Sequence, residues 1–364
     1  MVLTRSALEF VGAVTFEALT GRAVHSALLA SGHALDHIKL ARGADVVVIA
    51  PATADMLAQA AHGFANELLS AILLATTAPV LLVPAMNDRM WGHPQTVRNV
   101  AHLRELGYHV IDPAVGDLAV GEGSGPGRMP EPPTIMAHAG RLLEPRTALS
   151  GRRVLVTAGP TREALDPVRF LSNRSSGKMG IAIAEAAWRR SADVHLIAGP
   201  LGVPLPEMLS SERVETTDEM QRAVARGLAR ADVLVMAAAP ADFRPADVAE
   251  GKLKKANAPA GIPLDPTPDI LRSTIGARRP GTIVVGFALE TDDVLKNGTD
   301  KLAAKALDLI VVNDAREAGA GFDVDTNRVT LLTPDGRTQA LPLLSKREVA
   351  DALLDRIEAL LRER

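Results

Sequence analysis

Cysteine is absent from the 364 residues, which removes disulfides, thiolate metal sites and thiol nucleophiles from consideration at once. Aromatic residues amount to only 3%, and no apolar run approaches the roughly 18–20 residues that a membrane-spanning helix requires. The N-terminus lacks the basic-then-apolar layout of a signal peptide, so a cytoplasmic protein is expected. Neither sign of charge dominates. The formal net charge is -3 and the basic residues are scattered, which argues against nucleic acid as a partner.

What is present is the composition of a folded chain, 47% hydrophobic and 23% charged, rich in Ala, Gly and Pro. Its length exceeds what one hydrophobic core usually serves, so two domains of roughly 150–200 residues are expected. Short apolar runs alternate with helical patterns, the pattern of parallel sheets with crossover helices, so both halves read as α/β. In the first half the pattern predicts strands at 45–50, 79–83 and 109–111 and helices at 54–61, 67–75 and 96–106. The segment 116–133 is dense in Gly and Pro and reads as loop; a helix over 134–143 follows, and 144–151 reads as the interdomain linker. The expected domains are therefore 1–145 and 151–364.

The second half predicts strands at 153–157, 193–197, 233–237, 282–288 and 309–312, with helices at 177–190, 217–231, 268–277 and 293–306. Thr216 with Glu219 and Ser345 with Glu348 have capping-box spacing. Pro334-Asp335-Gly336, between 328–332 and 339–343, predicts a hairpin. The chain opens with Met1-Val2-Leu3, which reads as the end of a strand, followed by Thr4 and a helix. A doubly wound domain starting there lacks its first strand and helix, through truncation or a start placed downstream of the true one.

Several segments carry chemistry. Gly159-Pro160-Thr161-Arg162-Glu163 follows a strand, where backbone can approach a ligand; alone it is equally a simple turn. Ser172-Asn173-Arg174-Ser175-Ser176-Gly177-Lys178-Met179-Gly180 opens into an apolar helix, whose free N–H groups attract anions. It is not a P-loop, because Ser172 and Met179 stand where that motif needs Gly and Ser or Thr. No G-x-G-x-x-G follows a strand, which disfavours a nicotinamide oxidoreductase. Ala241-Asp242-Phe243 and Lys252-Leu253-Lys254-Lys255 suit a nucleotide, since Asp accepts from ribose hydroxyls and Lys neutralises phosphate; the lysine run alone is more commonly a solvated patch.

Taken in order, these motifs together with Val285-Gly286-Phe287-Ala288 and Val312-Asn313-Asp314 resemble phosphopantothenate-cysteine ligase, over essentially all of 151–364. The resemblance implies a Rossmann-like α/β domain. In it, CTP activates the carboxylate of 4'-phosphopantothenate, pyrophosphate leaves, and the amine of cysteine attacks the acyl-cytidylate. It further implies Mg2+, for which the sequence offers no identifiable ligands. By the same resemblance Asn173 binds the acyl intermediate and Lys252 acts near the reacting phosphate. Asp242, Thr267, Pro268, Asp269, Ile270, Phe287, Lys301 and Lys305 complete the CTP site. Thr267 stands where the family has Asn, and no loss of activity is expected from that.

Upstream, His37-Ile38-Lys39-Leu40, Ala50-Pro51-Ala52-Thr53-Ala54, Ala65-Asn66 and Pro84-Ala85-Met86-Asn87-Asp88-Arg89-Met90 resemble the flavin-dependent phosphopantothenoylcysteine decarboxylases, from Met1 to about Leu143. That implies a flavodoxin-like, doubly wound domain with FMN as cofactor. His37 matches the active-site base and Asn87 the residue that holds the substrate carboxylate. Thr4, Ala52, Thr53, Asn66, Met86 and Asn87 fall at FMN-binding positions. Two departures accompany the match. The Gly-rich turn that binds the FMN phosphate is missing, so the chain as written is not expected to hold FMN unaided. Val120 stands where better-known members place a proton-donating cysteine, leaving Glu122 or a water as substitute. The family implies trimeric decarboxylase units and dimeric ligase units, hence a large homo-oligomer such as a dodecamer. The alternative keeps the ligase and makes the N-terminal half a non-catalytic oligomerisation platform.

Overall fold

The computed structural model describes residues 1–29, 35–254, 261–290, 294–314 and 324–364. The chain forms two compact units, Met1–Leu143 and Glu144–Arg364. Among the described residues no helix is long and apolar enough to cross a membrane.

Unit 1 runs α1 (Arg5–Leu8), α2 (Ala13–Thr20), α3 (Asp36–Arg42), β1 (Val47–Ala52), α4 (Ala54–His62), α5 (Leu68–Ala75), β2 (Val80–Pro84), α6 (Asp88–Trp91), α7 (Pro94–Glu105), β3 (His109–Val110), β4 (Ala114–Asp117), β5 (Ser124–Arg128) and α8 (Pro132–Leu143). β1, β2 and β3 form a parallel sheet in that order. Every residue of β2 is buried, which suits an apolar run covered on both faces. Leu57 of α4, Leu82 of β2 and Leu103 of α7 meet in one core, each fully inaccessible. Val2 makes a single parallel bridge with His25.

Two expectations change here. The segment read as loop holds the antiparallel hairpin β4–β5. Ser124-Gly125-Pro126-Gly127-Arg128 has no apolar alternation, so its strand character rests on backbone pairing alone. The expected linker is packed into unit 2: Leu149 is fully buried in that core, and Glu144 pairs with Arg189 at 2.6 Å.

Unit 2 runs β6 (Arg153–Ala158), β7 (Arg162–Ala164), β8 (Phe170–Ser172), α9 (Lys178–Arg189), β9 (Asp193–Ala198), β10 (Ser210–Arg213), α10 (Thr217–Leu228), β11 (Val233–Met236), β12 (Phe243–Pro245), β13 (Leu264–Pro266), α11 (Ile270–Ser273), β14 (Ile283–Glu290), α12 (Val294–Ala304), β15 (Leu309–Asp314), β16 (Thr326–Asn327), β17 (Thr330–Leu332), β18 (Thr338–Ala340), β19 (Leu344–Ser345) and α13 (Lys346–Glu363). Its main sheet has the order β10-β9-β6-β11-β14-β15-β17-β18. The first six are parallel, and counted along the chain they stand 3-2-1-4-5-6, the doubly wound order. The antiparallel hairpin β17–β18 extends the sheet beyond β15.

Strand period 2 sorts the core. Val154 and Val156 face the α9 and α13 side with Ile183, Leu353 and Ile357. Leu155 and Leu234 face the other side with Met220, Leu228, Ile270 and Leu302. Both expected capping boxes form. The helix expected over 268–277 is instead a four-residue α11 and a 3-10 turn, Ile275–Ala277. On the α9–α13 side, buried Arg190 donates to Glu358 (2.9 Å) and to the Asp351 carbonyl (3.0 Å), and pairs with Asp355 at 2.7 Å.

Candidate active sites

In a doubly wound sheet the carboxyl ends of strands 1 and 4 flank the crevice where crossovers diverge. Here those are β6 and β11, and the loops that follow them are tied together. Ala238 N–H donates to the Thr157 hydroxyl (3.1 Å) and Ala239 N–H to the Gly159 carbonyl (2.9 Å). Asn173, on the polar loop before α9, reaches this point: its amide nitrogen donates to the carbonyls of Ala239 (3.3 Å) and Pro240 (2.9 Å). With the two donations spent on these carbonyls, the amide oxygen is the group left able to accept.

The loop start is tightly packed. Gly177 caps α9 at φ +80°, and a Cβ on it would lie 2.3 Å from a Leu201 methyl. A Cβ on Gly199, at the end of β9, would lie 1.8 Å from the Pro160 carbonyl oxygen. Lys178 turns away to an ion pair with Asp325 at 2.6 Å.

Next to Asn173 lies a cleft of ≈ 170 Å³ lined by Met236, Pro240, Ala241, Asp242, Thr267, Pro268, Asp269, Ile270, Phe287 and Lys305. Seven residues expected at a nucleotide site, Asp242, Thr267, Pro268, Asp269, Ile270, Phe287 and Lys305, therefore share one cavity. Lys305 pairs with Asp269 at 3.0 Å. Asp269 also caps α11, accepting from Arg272 N–H at 3.1 Å. The Thr267 hydroxyl donates to the Ala241 carbonyl (2.5 Å).

Lys301, one turn before Lys305, is not among the lining residues, nor is Lys252. Lys252 is exposed, and Lys255 lies outside the described residues. The segment after Lys252 is clamped. Buried Asp166 accepts from the N–H groups of Val168 (2.8 Å), Arg169 (2.8 Å) and Leu253 (3.1 Å) and from Arg169 Nε (3.0 Å). The Arg169 guanidinium, together with those N–H groups, holds the Asp166 carboxyl well below the usual carboxylate range despite burial.

Sequence reasoning did not find this clamp, nor the role of Thr161, Glu163 and Thr217. Glu163 accepts from the N–H and the hydroxyl of Thr217, both at 2.8 Å, and Thr161 contacts Thr217 at 2.8 Å. The signal was present in the Thr-Arg-Glu spacing, but the partner is 54 residues from Glu163.

In unit 1 the carboxyl ends of β1 and β2 bring together Ala52, Thr53, Met86 and Asn87: Ala52 is buried and its carbonyl accepts from Ala85 N–H at 3.3 Å. Thr53 caps α4, accepting from Met56 N–H at 3.2 Å. Asn87 caps α6 through its amide oxygen, accepting from Arg89 N–H at 2.9 Å. β5 is held against this edge by Met86 N–H donating to the Gly127 carbonyl (3.0 Å). The hairpin tip carries Val120, fully exposed, and exposed Glu122. Asn66 lies before α5 and accepts from the Ser70 hydroxyl at 3.4 Å; Thr4 caps α1, accepting from Ala7 N–H at 3.2 Å. His37 sits on α3, which packs against α5, and its Nδ1 is buried with no hydrogen-bond partner among the described residues. An unsatisfied ring nitrogen of this kind fits a site completed by a bound group.

The family described as DNA/pantothenate metabolism flavoprotein C-terminal domain matches residues 149–361, and the family described as Flavoprotein matches residues 1–143. The coenzyme A biosynthesis bifunctional protein CoaBC of Mycolicibacterium smegmatis is 47% identical over an alignment covering 100% of this chain and 91% of that protein. The chain belongs to the CoaBC family. The CoaBC protein of Bacillus subtilis is 42% identical, with 99% of this chain and 89% of that protein covered. Among solved structures, the C-terminal domain of a CoaBC protein superposes with a TM-score of 0.51 at 40% identity, over 60% of this chain and 100% of that one. Membership accords with both resemblances and with the α/β class expected of each half, a flavoprotein unit followed by a doubly wound unit.

Proposed function

We propose that residues 151–364 ligate 4'-phosphopantothenate to cysteine with CTP, through an acyl-cytidylate and with release of pyrophosphate. Residues 1–145 then decarboxylate the product to 4'-phosphopantetheine with FMN, both in the cytoplasm. The observation that carries this reading is the convergence of Asp242, Thr267–Ile270, Phe287 and Lys305 in one cleft beside Asn173. The bifunctional naming of the relatives supports it.

A carboxylate becomes an acyl donor only when its oxygen carries a good leaving group, and both half-reactions gather negative charge. Asp242 accepts from the ribose hydroxyls. Lys305 exchanges Asp269 for phosphate, Lys301 and Lys252 meet the triphosphate beyond the cleft, and Mg2+ offsets the remaining charge. Asn173, locked by two carbonyls, presents its oxygen to the acyl intermediate.

In unit 1, Ala52, Thr53, Asn66, Met86 and Thr4 are assigned to flavin contacts. FMN, when bound, supplies the oxidation of the substrate thiol that eases loss of carbon dioxide. Asn87 has its amide N–H groups left for the substrate carboxylate, because its oxygen is spent on the α6 cap. His37 takes and returns a proton in this reading, which its buried Nδ1, unpartnered among the described residues, supports. One observation favours a second reading, unit 1 as an oligomerisation platform: the hairpin tip presents the hydrocarbon Val120, which has no proton to give. The assembly is assigned as ligase dimers and decarboxylase trimers.

Pyrophosphate release that requires CTP, phosphopantothenate and Mg2+ tests the ligase. Asn173→Asp faces two carbonyls with a carboxylate and is expected to slow release about 100-fold. No release by the wild type, or undiminished release by the variant, rejects the assignment. Carbon dioxide release and flavin absorbance of the purified chain separate the two readings of unit 1.

A further inference from the structure

The Gly-Pro-Thr-Arg-Glu segment takes no part in the chemistry above, yet it carries a buried hydrogen-bonded chain that ends on the cleft. Thr161 and Thr217 are fully inaccessible and Glu163 is 5% exposed. The direction of each bond follows from what each group can do. The Ala241 N–H only donates, and it donates to the Thr161 hydroxyl at 2.9 Å. The Glu163 carboxylate accepts from the Thr217 N–H and from the Thr217 hydroxyl. The Thr217 hydroxyl lies 2.8 Å from the Glu163 carboxylate and 3.4 Å from the Ala241 carbonyl, so its proton goes to the nearer, charged acceptor, and in the Thr161–Thr217 contact Thr161 donates and Thr217 accepts.

All bonds run one way, from the Ala241 amide through two hydroxyls to a carboxylate at the start of α10, so each polarises the next. Thr161 stands immediately before β7 and Glu163 within it, and both meet Thr217. On its other side the Ala241 carbonyl accepts from Thr267. Ala241 is thus held from both ends, and its neighbours Pro240 and Asp242 line the cleft with it.

We infer that Thr161 and Glu163 are positioning residues: through Thr217 they fix the Ala241–Asp242 wall and so set the affinity of the cleft for its nucleotide. The inference rests on the cleft being the CTP site. The test uses the full chain, with Thr161→Val, which keeps the shape and deletes the hydroxyl, and Thr161→Ser, which restores it. Calorimetric titration with CTP, steady-state kinetics and hydrogen exchange at the Ala241 amide are measured on each.

Thr161→Val is expected to raise both Kd and KM for CTP about 10-fold, with kcat within about 2-fold of wild type, and to speed exchange at Ala241. Thr161→Ser is expected to match wild type in all three. Equal CTP affinity in wild type and Thr161→Val overturns the inference, as does a Thr161→Ser variant as impaired as Thr161→Val, which assigns the effect to packing. If Thr161→Val does not fold, Glu163→Gln, which keeps the accepting oxygen and removes the charge, is expected to weaken CTP binding about 3-fold; unchanged binding then overturns it. A wild-type chain that binds no CTP overturns the cleft assignment instead, and exchange at Ala241 still reads whether the chain of hydrogen bonds holds the wall.

Discussion

Replacing Arg190 by Met tests whether the α9–α13 seam is held by its ion network. Burial works against the charge of Arg190, but hydrogen bonds to Asp355 and Glu358 outweigh it and hold the guanidinium above its ordinary range. The partners are unequal. The Asp355 side chain is 73% exposed, so that pair contributes at most about 1 kcal/mol. The Glu358 side chain is 4% exposed, and stripping a buried carboxylate of its cation costs about 3–5 kcal/mol. Arg362 remains 3.0 Å from Glu358 and offsets part of that loss. The expected net destabilisation is about 3 kcal/mol. Urea unfolding reads it through the fluorescence of Trp188, which lies on α9 against the core, in a Trp91→Phe background that silences the only other tryptophan. Arg190→Met with Glu358→Met is expected to recover most of the loss, because the unpaired charge is gone. A single-variant loss below about 1 kcal/mol refutes the reasoning.

Two further outcomes follow. Burial pushes the Glu185 carboxyl up, and Arg189 and Arg347 offset only part of the shift. Its folded value lies above the unfolded one, so its stability contribution is full below the ordinary 4.5 and is lost as pH rises through the raised folded value. Glu185→Gln should therefore raise the thermal midpoint at pH 8 and match wild type near pH 4. Gly199→Ala forces a methyl onto the Pro160 carbonyl and should cost about 1–3 kcal/mol in chemical unfolding, with a raised KM for CTP.

The elements that the sequence made legible are those whose side chains repeat with the geometry. Val233–Val235 announces a strand buried on both faces; Val46–Ile49 marks a strand too, but Val48 is 39% exposed, so an apolar run there does not mean full burial; Thr216–Glu219 and Ser345–Glu348 mark helix starts that form as expected. β10 was missed because Ser210–Arg213 is a polar edge strand with no apolar face, and β5 because glycine and proline hide a backbone-paired strand. The cleft was legible through ordered motifs, down to seven of its lining residues. The hydrogen-bonded chain beneath it was not, since Thr161 and Thr217 are 56 residues apart and buried threonines carry no pattern that a single sequence reveals.

The crowding around Gly177 and Gly199 leaves the two sides of this crevice with unequal freedom to vary. On one side, loops meet with no volume for even a methyl group. On the other, Thr267–Leu271 presents ordinary side chains from a turn and a four-residue helix. Variation in what the cleft admits is thereby channelled to the second side, where single substitutions can reshape the wall, while the first side stays fixed as the die against which each new shape is cast.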